Sequence, residues 1–389
     1  MTRDLSGCGG PRLGIVGGGQ LAKMTALAAL ELGCEVSILE RSPASPAAPL
    51  SSHYAVGDWN DPETLLRLAE GVDVLTLENE FVDAAALAAV AARGYALYPT
   101  ARSIGLVQDK LTQKQALRAA GLPLPDFAAA ESPAEVVAAG EALGWPLVLK
   151  ARRDGYDGKG NATIEGARDV AAAWARLGGG ERELYVEAFC PFVMELATIL
   201  TVGQDGRVAS YPVVESEQRD HICHLVRAPA TVPPRVCRQA EEVAQRAVAA
   251  VGGTGSFGVE MFLAPDGRVL VNELAPRVHN SGHYSIEGCA TSQFENHVRA
   301  VLGLPLGSTD LRASAAVMIN LLGHSEGPGW PAGVPEALAV PGVHLHVYGK
   351  ARSRPGRKMG HVTALGGDPG ETEERARRAA AALVFGAIQ

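Results

Sequence analysis

In the stretch VEMFLAPDGRVLVNEL, two glutamates stand on either side of an Asp266-Gly267 pair. Asp-Gly is a strong signal for a two-residue type I′ hairpin turn. That turn pairs Phe262 with Val271 and Glu260 with Glu273. Carboxylates directly across a ladder repel each other. A divalent cation between them removes the conflict. Glu260, Glu273 and the neighbouring Asn272 supply oxygen ligands of the kind magnesium takes, with phosphates completing the shell. The same spacing also suits a solvated edge hairpin with two exposed glutamates. If the pair is real, Glu273→Gln should abolish cation-dependent turnover and make the apoprotein slightly more stable.

Two lysines and a glycine-rich loop extend the pattern. Lys150 ends the apolar run Pro146–Leu149, and Lys110 begins a helical stretch. Either alone could be a solvated lysine. The segment Arg153-Asp154-Gly155-Tyr156-Asp157-Gly158-Lys159-Gly160 follows. Its glycines let backbone approach a phosphate chain, and Arg153 and Lys159 add charge. An ordinary charged turn is the plainer reading. Near the C-terminus, Arg352, Arg354, Arg357 and Lys358 crowd a short Gly/Pro loop, a natural partner for a monophosphate dianion.

A different signal lies at the N-terminus. PRLGIVGGGQLAKMTALAALELGCEVSILE reads as strand, glycine turn, helix and strand, with Gly17, Gly19, Ala22 and Glu40 where a dinucleotide-binding unit needs them. Taken alone it favours a dehydrogenase. That reading leaves the paired carboxylates and the basic loop without a role.

The elements that must position these residues follow from periodicity and turn signals. Strands are expected at Leu13–Val16, Glu35–Leu39 and Val72–Leu77, with a helix over 21–32 closed by Gly33. These make a parallel α/β domain. A helix from Lys110 to Ala120 stops before Gly121, and another spans about 234–251. Strands are expected at 184–189, 195–202, 315–321 and 343–348, and a charged helix from Glu371. The organisation expected is a domain over 1–105, a second over 106–300 and a third over 301–389.

A chain of 389 residues with 47% apolar residues and mean hydropathy +0.06 is an ordered globular protein. The net charge of -8 argues against nucleic acid as the main partner. Six cysteines without CxxC spacing argue against structural zinc and for a reducing compartment. No apolar run is long enough to span a membrane, and a cytoplasmic protein is expected.

The order of lysine, lysine with glycine-rich loop, Glu187, then Glu260 and Asn272-Glu273 resembles the ATP-grasp ligases. LGIVGGGQLAKM, ENE at 78–80, QDKLTQK, RDGYDGKG, NELAPRVHNSGH and YGKARSRPGRKMGH together resemble the 5-(carboxyamino)imidazole ribonucleotide synthetases, from Pro11 to about His361. The resemblance implies an ATP-grasp fold, with a Rossmann-like parallel domain before it and a small β-rich domain after it. The implied reaction uses ATP and bicarbonate to carboxylate the 5-amino group of 5-aminoimidazole ribonucleotide through carboxyphosphate, in purine biosynthesis. Magnesium, two ions or manganese in their place, is the implied metal. A homodimer and a separate mutase for the product are implied partners.

Site roles follow from the same resemblance. Lys110, Lys150, Arg153 and Lys159 would contact ATP phosphates. Glu187 with the Ala188 and Phe189 backbone would hold adenine, and Glu195 the ribose. Gln218 and Asn272 would lie against the nucleotide, and Glu260 and Glu273 would bridge metal. Gly19, Gln20, Glu80 and Tyr156 would face the ribonucleotide, with Asp157 orienting its amine under a lid at 153–160. Arg277, His279 and Asn280 would hold bicarbonate beside the transferred phosphoryl group. Lys350, Arg357 and Lys358 would bind the ribonucleotide phosphate.

One segment departs from the family. In Glu215-Ser216-Glu217-Gln218-Arg219-Asp220-His221-Ile222, Gln218 stands where histidine is expected and Ser216 where asparagine is expected. A cationic contact is lost unless His221 or Arg219 replaces it, and reduced turnover is expected. The alternatives are another ATP-grasp ligase, of the formate-dependent glycinamide ribonucleotide transformylase or biotin carboxylase kind, and a nucleotide-binding regulator without catalysis.

Overall fold

The computed structural model describes residues 9–155, 160–219 and 221–386. Five parallel strands open the chain, in the order His53–Val56, Glu35–Glu40, Arg12–Val16, Val74–Leu77, Leu97–Tyr98. Leu13, Ile15, Val36 and Ile38 are fully or almost fully buried, as expected of a sheet covered on both faces. The strand expected over Val72–Leu77 begins at Val74, and Asp73 just before it accepts from the Arg12 backbone N–H and pairs with its guanidinium. The helix Gln20–Glu31 follows the glycine turn, and Gly33 takes φ +77 just beyond it.

A four-stranded antiparallel sheet follows, in the order Phe127–Ala130, Leu184–Ala188, Leu147–Ala151, Asn161–Ile164. The helix Pro133–Leu143, capped by Ser132, and the helix Val170–Arg176 pack on it. The largest sheet runs Val269–Ala275, Gly255–Leu263, Met194–Val202, Val214–Arg219, Ile222–Ala228, Ala315–Leu322, Lys358–Gly366, Val343–Val347. The C-terminal strands therefore extend the same sheet that carries Glu260 and Glu273. The amphipathic helix Pro234–Val251 buries Ala240, Ala244, Val248 and Val251 against this sheet.

The hairpin turn differs from the expected one. Gly267, at φ +84, donates its N–H to the Ala264 carbonyl, and Ala264 donates to Arg268, both at 2.9 Å. Pro265, Asp266 and Gly267 thus form a three-residue loop. Proline suits the first central position of a type I turn and has no N–H for the ladder pair that a type I′ turn demands there. Phe262 consequently faces Leu270 and not Val271, and Met261 faces Val271. The register then slips by one residue at Asn272, which restores Glu260 opposite Glu273.

Candidate active site

That slip is what builds the site. Side chains of a regular strand alternate between faces, so Asn272 and Glu273 would point apart. A bulge re-aims one of them. Asn272, Glu273 and Glu260 accordingly all line one cleft of about 1190 Å³, open to solvent, between the large sheet, the four-stranded sheet and the N-terminal domain. Lys110 Nζ meets Glu273 Oε2 at 2.5 Å. Burial alone would raise the Glu273 pKa, but Lys110 holds it below the usual carboxylate range. Glu260 moves the other way, raised by burial, then by Glu273 and Glu195.

The expected gain in apoprotein stability for Glu273→Gln is corrected by this geometry. Glu273 already has a cation, and its loss would leave half-buried Lys110 without its partner. Glu260 carries the unrelieved repulsion. Among the described residues no group of three His, Cys, Asp or Glu side chains forms a metal cage. The Asn272 Oδ1 is nevertheless buried without a hydrogen-bond partner. Two carboxylates and an orphan amide oxygen fit a hard cation that takes its remaining ligands from phosphate and water.

The lysines are held by carboxylates. Asp109 caps the helix Lys110–Ala119, accepting from Leu111 and Thr112 N–H while binding Arg152 at 2.5 Å. Lys150 Nζ lies 3.0 Å from Glu187 Oε2. Glu187 Oε1 takes the Tyr185 hydroxyl at 2.6 Å and faces Lys114 Nζ at 3.3 Å. Against the effect of burial, Lys150 and Lys114 bring Glu187 down to about 2. The Glu187 carboxylate is therefore committed to the lysines, while Ala188 and Phe189 line the cleft beside it. Glu195 lines the cleft with Glu260 and Gln218, and burial raises its pKa. Arg153 is also at the cleft wall. Tyr156, Asp157 and Lys159 lie outside the described residues.

The glycine turn is filled by the protein itself. Gly18 N–H donates to Glu40 Oε2 at 2.7 Å, and Gly19 N–H to Glu78 Oε2 at 2.6 Å. A Cβ at Gly19 would lie 2.1 Å from Glu78 Oε1. The donors that a dinucleotide pyrophosphate needs are already used by two carboxylates, which physically opposes the dehydrogenase reading. Gln20 and Glu80 line the cleft. Glu80 grips one edge of the Arg277 guanidinium with both carboxylate oxygens, Nε–Oε2 at 2.5 Å and Nη2–Oε1 at 3.0 Å.

His279 sits on the strand Gly255–Leu263 only because residue 258 is glycine; a Cβ there would meet His279 Cβ at 2.4 Å. Burial, reinforced by Arg277 and Lys358, pushes His279 down to about 3, so the ring is neutral at pH 7. Its Nδ1 accepts from Ser281 N–H at 3.4 Å. The proton is thus assigned to Nε2, which faces Glu260 Oε1 at 3.6 Å. Asn280 is fixed by reciprocal amide bonds with Asn320, at 2.9 and 2.6 Å. Lys358 lines the cleft, and Lys350 Nζ donates to the Lys358 carbonyl at 2.7 Å. Arg357 turns back onto the Arg352 carbonyl at 2.7 Å.

Comparison with known proteins places this geometry. Family models match residues 11–108 as a ribonucleotide synthetase preATP-grasp domain, 115–294 as an ATP-grasp domain and 316–375 as a phosphoribosylaminoimidazole carboxylase C-terminal domain. The chain is 40% identical to the N5-carboxyaminoimidazole ribonucleotide synthase of Synechococcus elongatus, covering 90% of this chain and 88% of that protein. The chain belongs to the N5-carboxyaminoimidazole ribonucleotide synthase family.

Other members agree. The synthase of Mycobacterium tuberculosis is 41% identical, over 97% of this chain and 88% of its own length. The phosphoribosylaminoimidazole carboxylase of Schizosaccharomyces pombe is 41% identical over 93% of this chain, and the chain spans 66% of that protein's length. A crystal structure of the Aspergillus clavatus synthase with ATP superposes with TM-score 0.88 at 39% identity, covering 96% and 98% of the two chains. The same enzyme with ADP and 5-aminoimidazole ribonucleotide gives TM-score 0.88 at 38% identity, with the same coverage.

Against this synthase family, the departure at Gln218 acquires a location. Gln218 Nε2 donates to Ser216 Oγ at 3.1 Å at the cleft wall. His221, at φ 61, also lines the cleft, whereas Arg219 pairs with Glu217. Sequence reasoning missed Lys114, Tyr185 and Asn320. Only Lys114 left a signal, one helical turn after Lys110.

Proposed function

We propose that this chain couples cleavage of ATP to carboxylation of the 5-amino group of 5-aminoimidazole ribonucleotide, giving 5-(carboxyamino)imidazole ribonucleotide, ADP and phosphate. The observation that supports it is one continuous cleft. It is lined by Lys110, Lys150, Glu260 and Glu273 and also by Arg277, His279, Asn280 and Lys358. Nucleotide chemistry and an acceptor with its own phosphate thus fit a single cleft.

Glu260, Glu273 and Asn272 would hold magnesium, which supplies charge neutralisation on phosphoryl oxygens. Lys110 and Lys150 offset the charge that develops during transfer. A bicarbonate oxygen forms a bond to the γ-phosphorus as the bond to ADP breaks, giving carboxyphosphate. Arg277, oriented by Glu80, holds the bicarbonate charge, and neutral His279 donates from Nε2 without adding a competing cation. The amine nitrogen then bonds to the carboxyl carbon, phosphate departs with the C–O electron pair, and the amine loses a proton. Lys358 and Lys350 hold the acceptor phosphate.

The test is ADP release with ATP, magnesium and bicarbonate, with and without 5-aminoimidazole ribonucleotide. Strong stimulation by that nucleotide, and none by glycinamide ribonucleotide with formate, is expected. Nucleotide binding without stimulation would transfer the assignment to another acceptor or to a regulator.

A further inference from the structure

Lys114 has no role in the reaction described above, yet it is a fully buried lysine at the back of the site. Its side chain is 2% exposed and it does not line the cleft. A buried ammonium is costly unless it is paired. Lys114 has one partner, Glu187 Oε1 at 3.3 Å, and among the described residues its Nζ makes no hydrogen bond of good geometry. The same carboxylate holds Lys150 at 3.0 Å and the Tyr185 hydroxyl at 2.6 Å. Burial pushes Lys114 down to about 8 against the pull of Glu187, and Lys150 adds to the fall. One buried carboxylate is therefore shared by two ammonium groups, of which only Lys150 reaches the cleft.

We propose that Lys114 is a positioning residue for nucleotide binding: it keeps Glu187 neutralised when Lys150 leaves that carboxylate for a nucleotide phosphate. This rests on the reading of Lys150 as a phosphate contact. Without Lys114, release of Lys150 would leave a buried carboxylate with only a tyrosine hydroxyl. The Lys150–Glu187 pair would then compete with the phosphate. With Lys114 behind it, Glu187 is paired in both states, and repulsion between the two ammonium groups favours the outward position of Lys150.

The experiment is calorimetric titration of the full chain, in magnesium, with a non-hydrolysable ATP analogue and with adenosine. Lys114→Met is expected to weaken the analogue about tenfold or more, a charge-assisted contact's worth. Adenosine affinity should stay within about twofold. In turnover, KM for ATP rises with kcat little changed. Lys114→Met combined with Glu187→Gln should recover most of the affinity, because no charge is left to neutralise. Equal weakening of both ligands, or no recovery in the double variant, would overturn the proposal in favour of a packing role. Lys150→Met separates the two statements. If it leaves the analogue's affinity intact, the phosphate reading itself falls and this proposal with it. If it weakens the analogue while Lys114→Met does not, only the role of Lys114 falls. Should Lys114→Met not fold, Lys114→Gln, neutral and able to hydrogen-bond Glu187, decides. Weakened analogue binding with adenosine affinity kept supports the proposal, and unchanged analogue binding overturns it.

Discussion

Two charge clusters sit on the same large sheet and are built to opposite ends. At Arg227, on the strand Ile222–Ala228, one guanidinium binds Glu373 through two bonds of 2.6 and 2.8 Å, Glu215 at 2.9 Å and Glu217 at 3.2 Å. Arg377 adds a second guanidinium on Glu373. Planar forks satisfy these carboxylates, and the cluster ties the C-terminal helix Pro369–Ala382 to the sheet. At Glu260 and Glu273 the cations are lysines, each a single point charge. Glu260 keeps a raised pKa, and Asn272 keeps an orphan oxygen. A cluster made for stability closes its charges on one another. A cluster that leaves some charges open, as the proposed cation site does, keeps them for a ligand.

Removing carboxylates from each cluster should break this contrast in different ways. The largest effect is expected for Glu273→Gln, with ADP release falling at least about a hundredfold while the circular dichroism stays native. Undiminished turnover would remove the cation assignment. Glu260→Gln should also abolish turnover, yet raise apoprotein stability at neutral pH by about 1 kcal/mol, because it deletes a carboxylate opposed by Glu273. Denaturant unfolding without magnesium measures this, and a less stable variant would refute the idea of unrelieved repulsion.

Glu373→Gln should do the reverse. It should lower stability by about 1–2 kcal/mol and leave KM for ATP and kcat unchanged at permissive temperature. The pH dependence has a definite sign. Hydrogen bonding from Arg227, with Arg377 adding to it against burial, holds Glu373 at about 2, below its ordinary 4.5. Its contribution is therefore fully present above the unfolded carboxyl's range and lost as pH falls from about 4.5 towards 2. Thermal melting of the two proteins should converge over that interval. The smallest effect is expected for Gln218→His. A charge-assisted contact in place of a neutral one is worth about 1 kcal/mol, or a severalfold gain in turnover. Unchanged kinetic constants would sever Gln218 from the reaction.

The parallel N-terminal sheet, the helix Pro234–Val251 and the opposed glutamates were legible in the sequence because they rest on local patterns. Apolar periodicity, glycine stops and an Asp-Gly turn act over a few residues. Glu260 and Glu273 were paired through two departures that cancel: a loop of three residues where two were expected, and a bulge at Asn272. The bulge left no sequence signal, yet it is what turns Asn272 and Glu273 to one face.

What tertiary structure alone decided is who pairs with whom. Glu40 and Glu78 fill the glycine turn, Glu80 orients Arg277 across 197 positions, and Glu187 at the cleft wall pairs with two lysines. The sequence by itself determined the residue types and the local elements that carry them. Which carboxylate meets which cation is a long-range matter, settled when separate sheets converge on one cleft, because charge pairing depends on distance and burial and not on order along the chain.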